Sequence, residues 1–320
     1  MNADDVIGGQ RLTPANPERR EEPLPWEEPK AFEFDPEAPE HVRELMHSAC
    51  YAPGSEDPEF VKSEDLRSLR LGLDYLKPEL LMRRAGVEHT IVVFGSTRIR
   101  EPLEAERRVA LAEKRLADRP EDPVLQHKLA IANRLAAKSR YYDIARELGT
   151  LITECGGGPM DCRVMLMTGG GPGIMEAANR GAHDVGGKSI GLNITLPHEQ
   201  YPNPYISPDL CFSVTYFAIR KLHFLLRAKA LVVLPGGYGT LDELFETLTL
   251  IQTRKVKPMP VVLVGEKFWR GVFDVDFLVE EGVIDIEDRD LFWFAETAAE
   301  AWEIIQEWHR EAASGIPLDD

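Results

Sequence analysis

Ala230-Leu231-Val232-Val233-Leu234-Pro235-Gly236-Gly237-Tyr238-Gly239-Thr240-Leu241-Asp242-Glu243 holds the logic of the whole chain in one stretch. Five consecutive apolar residues predict a strand buried on both faces, as in a parallel sheet. The Pro-Gly-Gly turn that follows opens a helix over 241–253, with Thr240 as a good N-cap. Strand, glycine turn, helix is the unit of a doubly wound α/β fold, and ligands there sit at the carboxyl ends of the strands.

The same unit recurs upstream. Val164-Met165-Leu166-Met167 leads to Gly169-Gly170-Gly171-Pro172-Gly173 and a helix over 173–185. Glycines in that position let backbone N–H groups approach an anion, and the helix N-terminus adds a positive dipole end. Two such cradles in one sheet suit one phosphate gripped from both sides, or a phosphate plus a sugar. Further strands are expected at 90–94, 189–193 and 260–264, with helices at 141–155, 220–228 and 298–312. The fold class is therefore α/β, a Rossmann-like doubly wound parallel sheet.

Two additions surround that frame. Residues 101–140 are rich in Glu, Lys, Arg, Ala and Leu and are broken near Pro120 and Pro123, which predicts an inserted helical hairpin. Residues 1–40 hold seven prolines among many acids, a composition that builds no core and reads as a disordered or extended arm. Trp26, Phe32 and Phe34 are its candidate anchors. From 41 to 87 the spacing of Val42, Leu45, Leu66, Leu69, Leu73, Leu76 and Leu80 is weakly helical. The expected organisation is an arm (1–40), a helical addition (41–87) and a nucleotide-monophosphate-binding domain (88–315).

Composition narrows the function. The net charge of −17 over 320 residues repels nucleic acid and anionic membranes, both of which require clustered cations. No apolar run approaches the ~20 residues needed to span a bilayer, and the acidic start lacks a leader pattern, so a cytoplasmic location is expected. Cys50, Cys155, Cys162 and Cys211 lack paired spacing and read as reduced, mostly buried thiols. No metal-binding pattern is present.

Common nucleotide motifs fail on spacing. Residues 169–174 end in Ile174 where a dinucleotide fingerprint needs glycine, and Asn193 and Thr195 stand where its acidic residue is required. Gly186-Gly187-Lys188-Ser189 has Ala182 in place of the first P-loop glycine and leads into a strand. Glu243 admits two readings. Thr240-Leu241-Asp242-Glu243 fits a capping box, while a carboxylate one turn into the helix also faces the ligand mouth. Asp242 points away and reads as a solvated acid. Arg220-Lys221 stands in an apolar stretch, where a structural ion pair competes with a ligand-binding role. His223 reads as a satisfied core or surface histidine and not as a catalyst.

Taken together, Gly169–Met175, Arg220-Lys221 and Pro235–Glu243 resemble the Lonely Guy family of cytokinin riboside 5′-monophosphate phosphoribohydrolases, often mislabelled lysine decarboxylases. The family motif PGGxGTxxE is matched in full by Pro235–Glu243, and Phe94-Gly95-Ser96-Thr97-Arg98 is similar to the family's first strand and loop. The resemblance covers about residues 88–310. It implies hydrolysis of the N-glycosidic bond of a purine riboside 5′-monophosphate to free base and ribose 5-phosphate, with no cofactor and no metal. Glu243 would be the catalytic carboxylate and Arg220 its partner, fixing it and keeping it ionised. Gly95, Ser96, Gly170, Gly171, Gly173, Lys221, Gly236, Gly237, Gly239 and Thr240 would bind substrate and its phosphate. A homodimer or larger homo-oligomer is also implied. Phe217-Ala218-Ile219 precedes Arg220 where compact plant-type members carry Met-His-Glu, and Glu176 stands where they have Gly. The chain thus resembles the longer bacterial branch, which leaves adenine and prenylated adenine open as the base. The competing reading is a non-catalytic nucleotide or molybdenum-cofactor carrier on the same fold. A pyridoxal-phosphate decarboxylase lacks a Schiff-base lysine context.

Overall fold

The structure is a computed structural model and describes residues 6–7, 10–11, 22–24, 26–155, 163–197 and 201–312. Its internal contacts divide the chain into two units, Met1–Arg70 and Leu71–Asp320. In the first, β1 (Val6–Ile7) pairs antiparallel with β2 (Gln10–Arg11), and short helices follow as α1 (Ala38–Met46) and α2 (Pro58–Lys62). Asp57 caps α2 by accepting from the amides of Glu59 and Phe60. Part of the expected arm, with Pro14, Pro17 and Pro25, lies outside the described residues. Trp26, Phe32 and Phe34 are exposed.

Helix α3 (Arg67–Arg84) starts in the first unit and runs into the second, so the division falls inside it and not at residue 87. The reason is that its later turns carry Met82 and Glu79, which are buried among elements of the sheet unit. From there the order is β3 (His89–Phe94), α4 (Pro102–Ala117), α5 (Pro123–Ala136), α6 (Arg140–Glu154), β4 (Val164–Thr168), α7 (Ile174–Asp184), β5 (Ile190–Ile194), β6 (Cys211–Val214) and α8 (Phe217–Leu226). It continues as β7 (Ala228–Val233), α9 (Tyr238–Gln252), β8 (Val261–Val264), α10 (Glu266–Arg270), α11 (Val275–Glu280), β9 (Trp293–Ala295) and α12 (Ala298–Glu311).

The seven strands β3–β9 form one parallel sheet in the order β6-β5-β4-β3-β7-β8-β9. The chain starts at the centre, winds outward through β4, β5 and β6, then returns to β7 on the other side of β3. That reversal between β3 and β7 is the topological switch point, where the two crossovers diverge and leave a crevice. Alternation along the strands feeds two cores. Ile91, Val93, Val232 and Val262 pack with α6, α7 and α12; Val92, Phe94, Leu231 and Val233 pack with α3, α8 and α9.

The hairpin is present as α4 and α5. Asp122 accepts from the amides of Val124 and Leu125 and Pro123 begins α5, which is why the helical pattern breaks where it does. The edge strands β6 and β9, of four and three residues, escaped the sequence reading because they are short and only partly apolar. Cys50 is exposed and not buried; Cys155 and Cys211 are half-buried, and Cys162 lies outside the described residues.

Candidate functional site

A cavity of about 660 Å³ opens at the switch point, over the carboxyl ends of β3 and β7. That volume lies within the range of small-molecule sites. Its wall is drawn from three turns. Phe94-Gly95-Ser96 follows β3, Gly169, Gly171 and Pro172 follow β4, and Pro235–Thr240 follows β7 and begins α9.

Backbone bonds tie these turns together. Leu234 N–H donates to the Phe94 carbonyl (2.9 Å) and Ser96 N–H to the Pro235 carbonyl (3.0 Å). The Ile174 N–H donates in turn to the Ser96 carbonyl (3.1 Å), so Ser96 joins all three loops. Its hydroxyl accepts from the Arg98 amide (3.1 Å).

The glycines divide into two kinds. Gly170 (φ +71°) donates its amide to Thr168 Oγ1 (3.0 Å), and its carbonyl accepts from Asn203 N (2.9 Å). Gly173 (φ +76°) sits so close to the β3 loop that a Cβ would meet the Ser96 carbonyl oxygen at 2.4 Å. Neither lines the cavity, so these two shape the loop, where the sequence suggested substrate contact. Gly236 is also an approach glycine, since its Cβ would strike Thr240 Oγ1. Gly237 and Gly239 face open space, and together with Gly95, Gly171 and Thr240 they line the cavity.

Thr240 is not the N-cap. Helix α9 starts at Tyr238 with Gly237 at the cap position, and the Thr240 and Leu241 amides both reach the Gly237 carbonyl (3.0 Å each). The capping-box reading of Glu243 therefore fails, because Thr240 is already inside the helix. Its first turn points at the cavity and presents N–H groups that a helix cannot satisfy internally.

Glu243 lies one turn further in, 6% exposed and in the cavity wall. Burial pushes its carboxyl up from the ordinary 4.5 to about 7, against the pull of the Lys221 ammonium and, more weakly, of Arg220. The direct cation is Lys221, not Arg220. Lys221 Nζ stands 3.8 Å from Glu243 Oε2, 2.9 Å from Asp242 and 2.7 Å from Glu246. An ammonium held by three carboxylates has little left to offer a phosphate, which corrects its assignment as a phosphate ligand. Asp242 remains mostly solvated, as its spacing implied.

Arg220 is oriented by carbonyl groups. Its Nε donates to the Leu192 carbonyl (2.9 Å), its Nη2 to the Gly169 carbonyl (3.1 Å), and the guanidinium covers the Phe224 ring at 5.2 Å. Gly169 is required for this approach, since a Cβ there would lie 2.5 Å from Arg220 Nη2. Burial draws the guanidinium's pKa down and the Glu243 carboxylate opposes that. The two groups thus feel each other across the cavity without an ion pair, and Glu243 is left partly protonated near neutrality instead of firmly ionised.

Sequence reasoning missed the residues that hold these parts in place. Asp74 Oδ2 on α3 accepts from the amides of Thr215 (2.6 Å) and Tyr216 (3.2 Å), capping from a distance the helix that carries Arg220 and Lys221. His223, singled out from the sequence, is buried and stacked on Tyr75, with Nε2 bonded to the Tyr75 carbonyl (3.0 Å) and Nδ1 buried without a hydrogen-bond partner. Asn203 Nδ2 bonds the Gly171 carbonyl (3.1 Å) and Asn179 Oδ1 (3.0 Å), and Thr168 donates to the same Asn179 oxygen (2.7 Å). No spacing rule brings Asp74 or Asn203 to the site, because loops and winding alone place them there. Among the described residues no helix is long and apolar enough to cross a membrane, and no cluster of three metal-ligating side chains occurs.

A doubly wound sheet with two glycine turns, an arginine on the helix before β7 and a glutamate in the helix after it defines a small class of proteins. The chain belongs to the Lonely Guy family. Residues 175–305 match the family model described as possible lysine decarboxylase. The cytokinin riboside 5′-monophosphate phosphoribohydrolase LOG of Oryza sativa subsp. japonica is 31% identical over 187 residues, covering 57% of this chain and 73% of the rice protein. The LOG3 protein of Arabidopsis thaliana, with the same activity in its name, is 30% identical over 176 residues, 53% of this chain and 77% of its own length. Among solved structures, the molybdenum cofactor carrier protein of Chlamydomonas reinhardtii is 21% identical over 69% of this chain and 97% of its own, with a TM-score of 0.40. The protein TM1055 is 23% identical over 68% and 99%, with a TM-score of 0.39.

Proposed function

We propose that this chain hydrolyses the N-glycosidic bond of a purine riboside 5′-monophosphate, releasing the base and ribose 5-phosphate. The observation that carries the reading is Glu243, a buried carboxylate in the wall of a nucleotide-sized cavity, one turn inside the helix whose N-terminus forms the glycine cradle. The 5′-phosphate fits the amides of Gly237, Tyr238 and Gly239, helped by the helix dipole. The base fits the apolar walls formed by Phe94, Ile99, Met175 and Phe217.

With the phosphate anchored at the start of α9, the ribose comes to lie beside Glu243. As the C1′–N bond breaks, positive charge develops on C1′ and O4′, and the ionised carboxylate stabilises it while orienting the attacking water. Water adds its oxygen to C1′ and its proton passes to the carboxylate; the bonding pair leaves with the base, whose ring nitrogen takes up one proton from solvent, and Glu243 returns its proton to solvent to regenerate the carboxylate. Arg220 fixes the local potential, and Lys221 holds Glu243 in the fraction that is ionised near pH 7. The test is chromatography of reactions with AMP, adenosine and isopentenyladenosine 5′-monophosphate. Base released from monophosphates and not from adenosine supports the reading and ranks the bases. Nucleotide bound without turnover supports the carrier alternative.

A further inference from the structure

The inserted hairpin carries a second cavity. Helices α4 and α5 enclose a groove of about 440 Å³ that shares only Arg98 and Leu135 with the nucleotide cavity. Both helices line it at the same spacing. Residues 105, 108, 111, 112 and 115 come from α4 and residues 125, 128, 131, 132 and 135 from α5. One face of each helix therefore lines the groove, and Leu135 at its inner end also packs against the core of the sheet.

The lining chemistry is of two kinds only. Leu111, Ala112, Leu125, Ile131 and Leu135 make an aliphatic floor, and Leu111 and Ile131 remain substantially exposed. Every other long side chain is a cation: Arg98, Arg100, Arg108, Arg115 and Lys128. Among the described residues Arg98, Arg115 and Lys128 form no ion pair with a carboxylate, and the buried Nε of Arg100 stands 3.9 Å from Glu104 Oε1, an ion pair too long to be a hydrogen bond. Arg108 is held by Glu104 on the solvent side (2.7 Å). Five cations around one apolar groove in a chain of net charge −17 is a local inversion of the surface.

This donor set defines its ligand. All the side-chain polar atoms donate and none accepts, so a nucleobase would leave its own N–H groups unpaired. A ligand with anionic oxygens and an aliphatic body satisfies the donors and covers the floor. We infer that the α4–α5 groove binds a soluble aliphatic anion, an alkyl phosphate or an equivalent chain-bearing anion. Its head lies among the arginines and its chain along Leu111, Ile131 and Leu135. The guanidinium fork suits a phosphate head, and the arginine stems add apolar contact.

The test is calorimetric titration of the full chain with decyl phosphate below its micelle concentration, beside decyltrimethylammonium and inorganic phosphate. The double variant Arg108→Glu/Arg115→Glu carries its changes on exposed positions outside the nucleotide cavity, and circular dichroism checks its fold. The expected result is saturable binding of decyl phosphate, at least about tenfold tighter than inorganic phosphate and weakened at least about tenfold in the double variant. The cationic amphiphile is refused by the native chain. Equal binding of both amphiphiles, or unaltered binding of decyl phosphate by the double variant, overturns the inference. So does a change in the sedimenting mass of the ligand-free double variant, which would show that a second copy of the chain fills the groove.

Discussion

Replacing Lys221 with methionine isolates the electrostatics of Glu243. The ammonium lies 3.8 Å from the carboxylate, and both side chains are largely buried. Coulomb's law at that separation gives roughly 4 kcal/mol for an effective dielectric constant of ~20, and about 1 kcal/mol if the pair behaves as in water. At about 1.4 kcal/mol per pKa unit, removing the cation raises the Glu243 pKa by roughly one to three units. Asp242 and Glu246, no longer neutralised, push in the same direction. The native carboxyl titrates at about 7, so kcat/KM for the nucleotide should show an acid limb there. In Lys221→Met that limb moves to about pH 8–10, which lowers kcat/KM at least about fivefold at pH 7, with the loss shrinking as the pH rises through the shifted limb. The substrate phosphate titrates near pH 6 in both proteins and cancels in the comparison. An acid limb that stays in place, or a loss equal at every pH, refutes the assignment of Lys221 as the group that sets the ionisation of Glu243.

Other consequences are equally direct. Glu243→Gln removes a carboxyl whose folded pKa lies above its unfolded value, so native stability from this group falls as pH rises from 4.5 through about 7. Urea unfolding should therefore show the variant more stable than the native chain at pH 8, by up to about 3 kcal/mol, and little different at pH 4.5. Arg220→Lys cannot bond both the Leu192 and Gly169 carbonyl groups, and should lower stability by roughly 1–3 kcal/mol and kcat by at least about tenfold, read by denaturation and steady-state kinetics. Gly173→Ala should unfold at distinctly lower temperature, because its φ of +76° and the nearby Ser96 carbonyl leave no space for a Cβ. Gly239→Ala should keep the native melting temperature and raise KM for the monophosphate, since its Cβ points into open space at the cradle.

The legible part of this molecule was the part built by local rules. Continuous apolar runs marked β3, β4, β7 and β8, because a strand covered on both faces needs no polar alternation, whereas β5 was read with Gly191 and Asn193 inside it. The glycine turns marked the ends of β4 and β7, and the structure brings Gly95, Gly171, Gly237, Gly239, Thr240, Arg220 and Glu243 to one cavity. Hydrogen-bond register was not legible. Helix α9 begins two residues before Thr240 because Gly237 caps it, which turned an apparent capping box into a helix interior. The choice between adjacent cations was also out of reach: Arg220 and Lys221 differ by about 100° around α8, and only the packed helix shows that Lys221 faces Glu243 while Arg220 turns to the carbonyl groups. Asp74 and Asn203 reach the site across more than thirty residues of sequence each, and such contacts follow from the winding of the chain alone.

On the proposed reading Glu243 performs the cleavage, and the cavity binds nucleotide without its carboxylate. Single-turnover release of adenine from AMP, measured alongside AMP binding for the native chain and Glu243→Gln, tests it most directly. The variant is expected to bind AMP at least as well as the native chain and to release base at least about a thousandfold more slowly. Base release by Glu243→Gln at the native rate would contradict it.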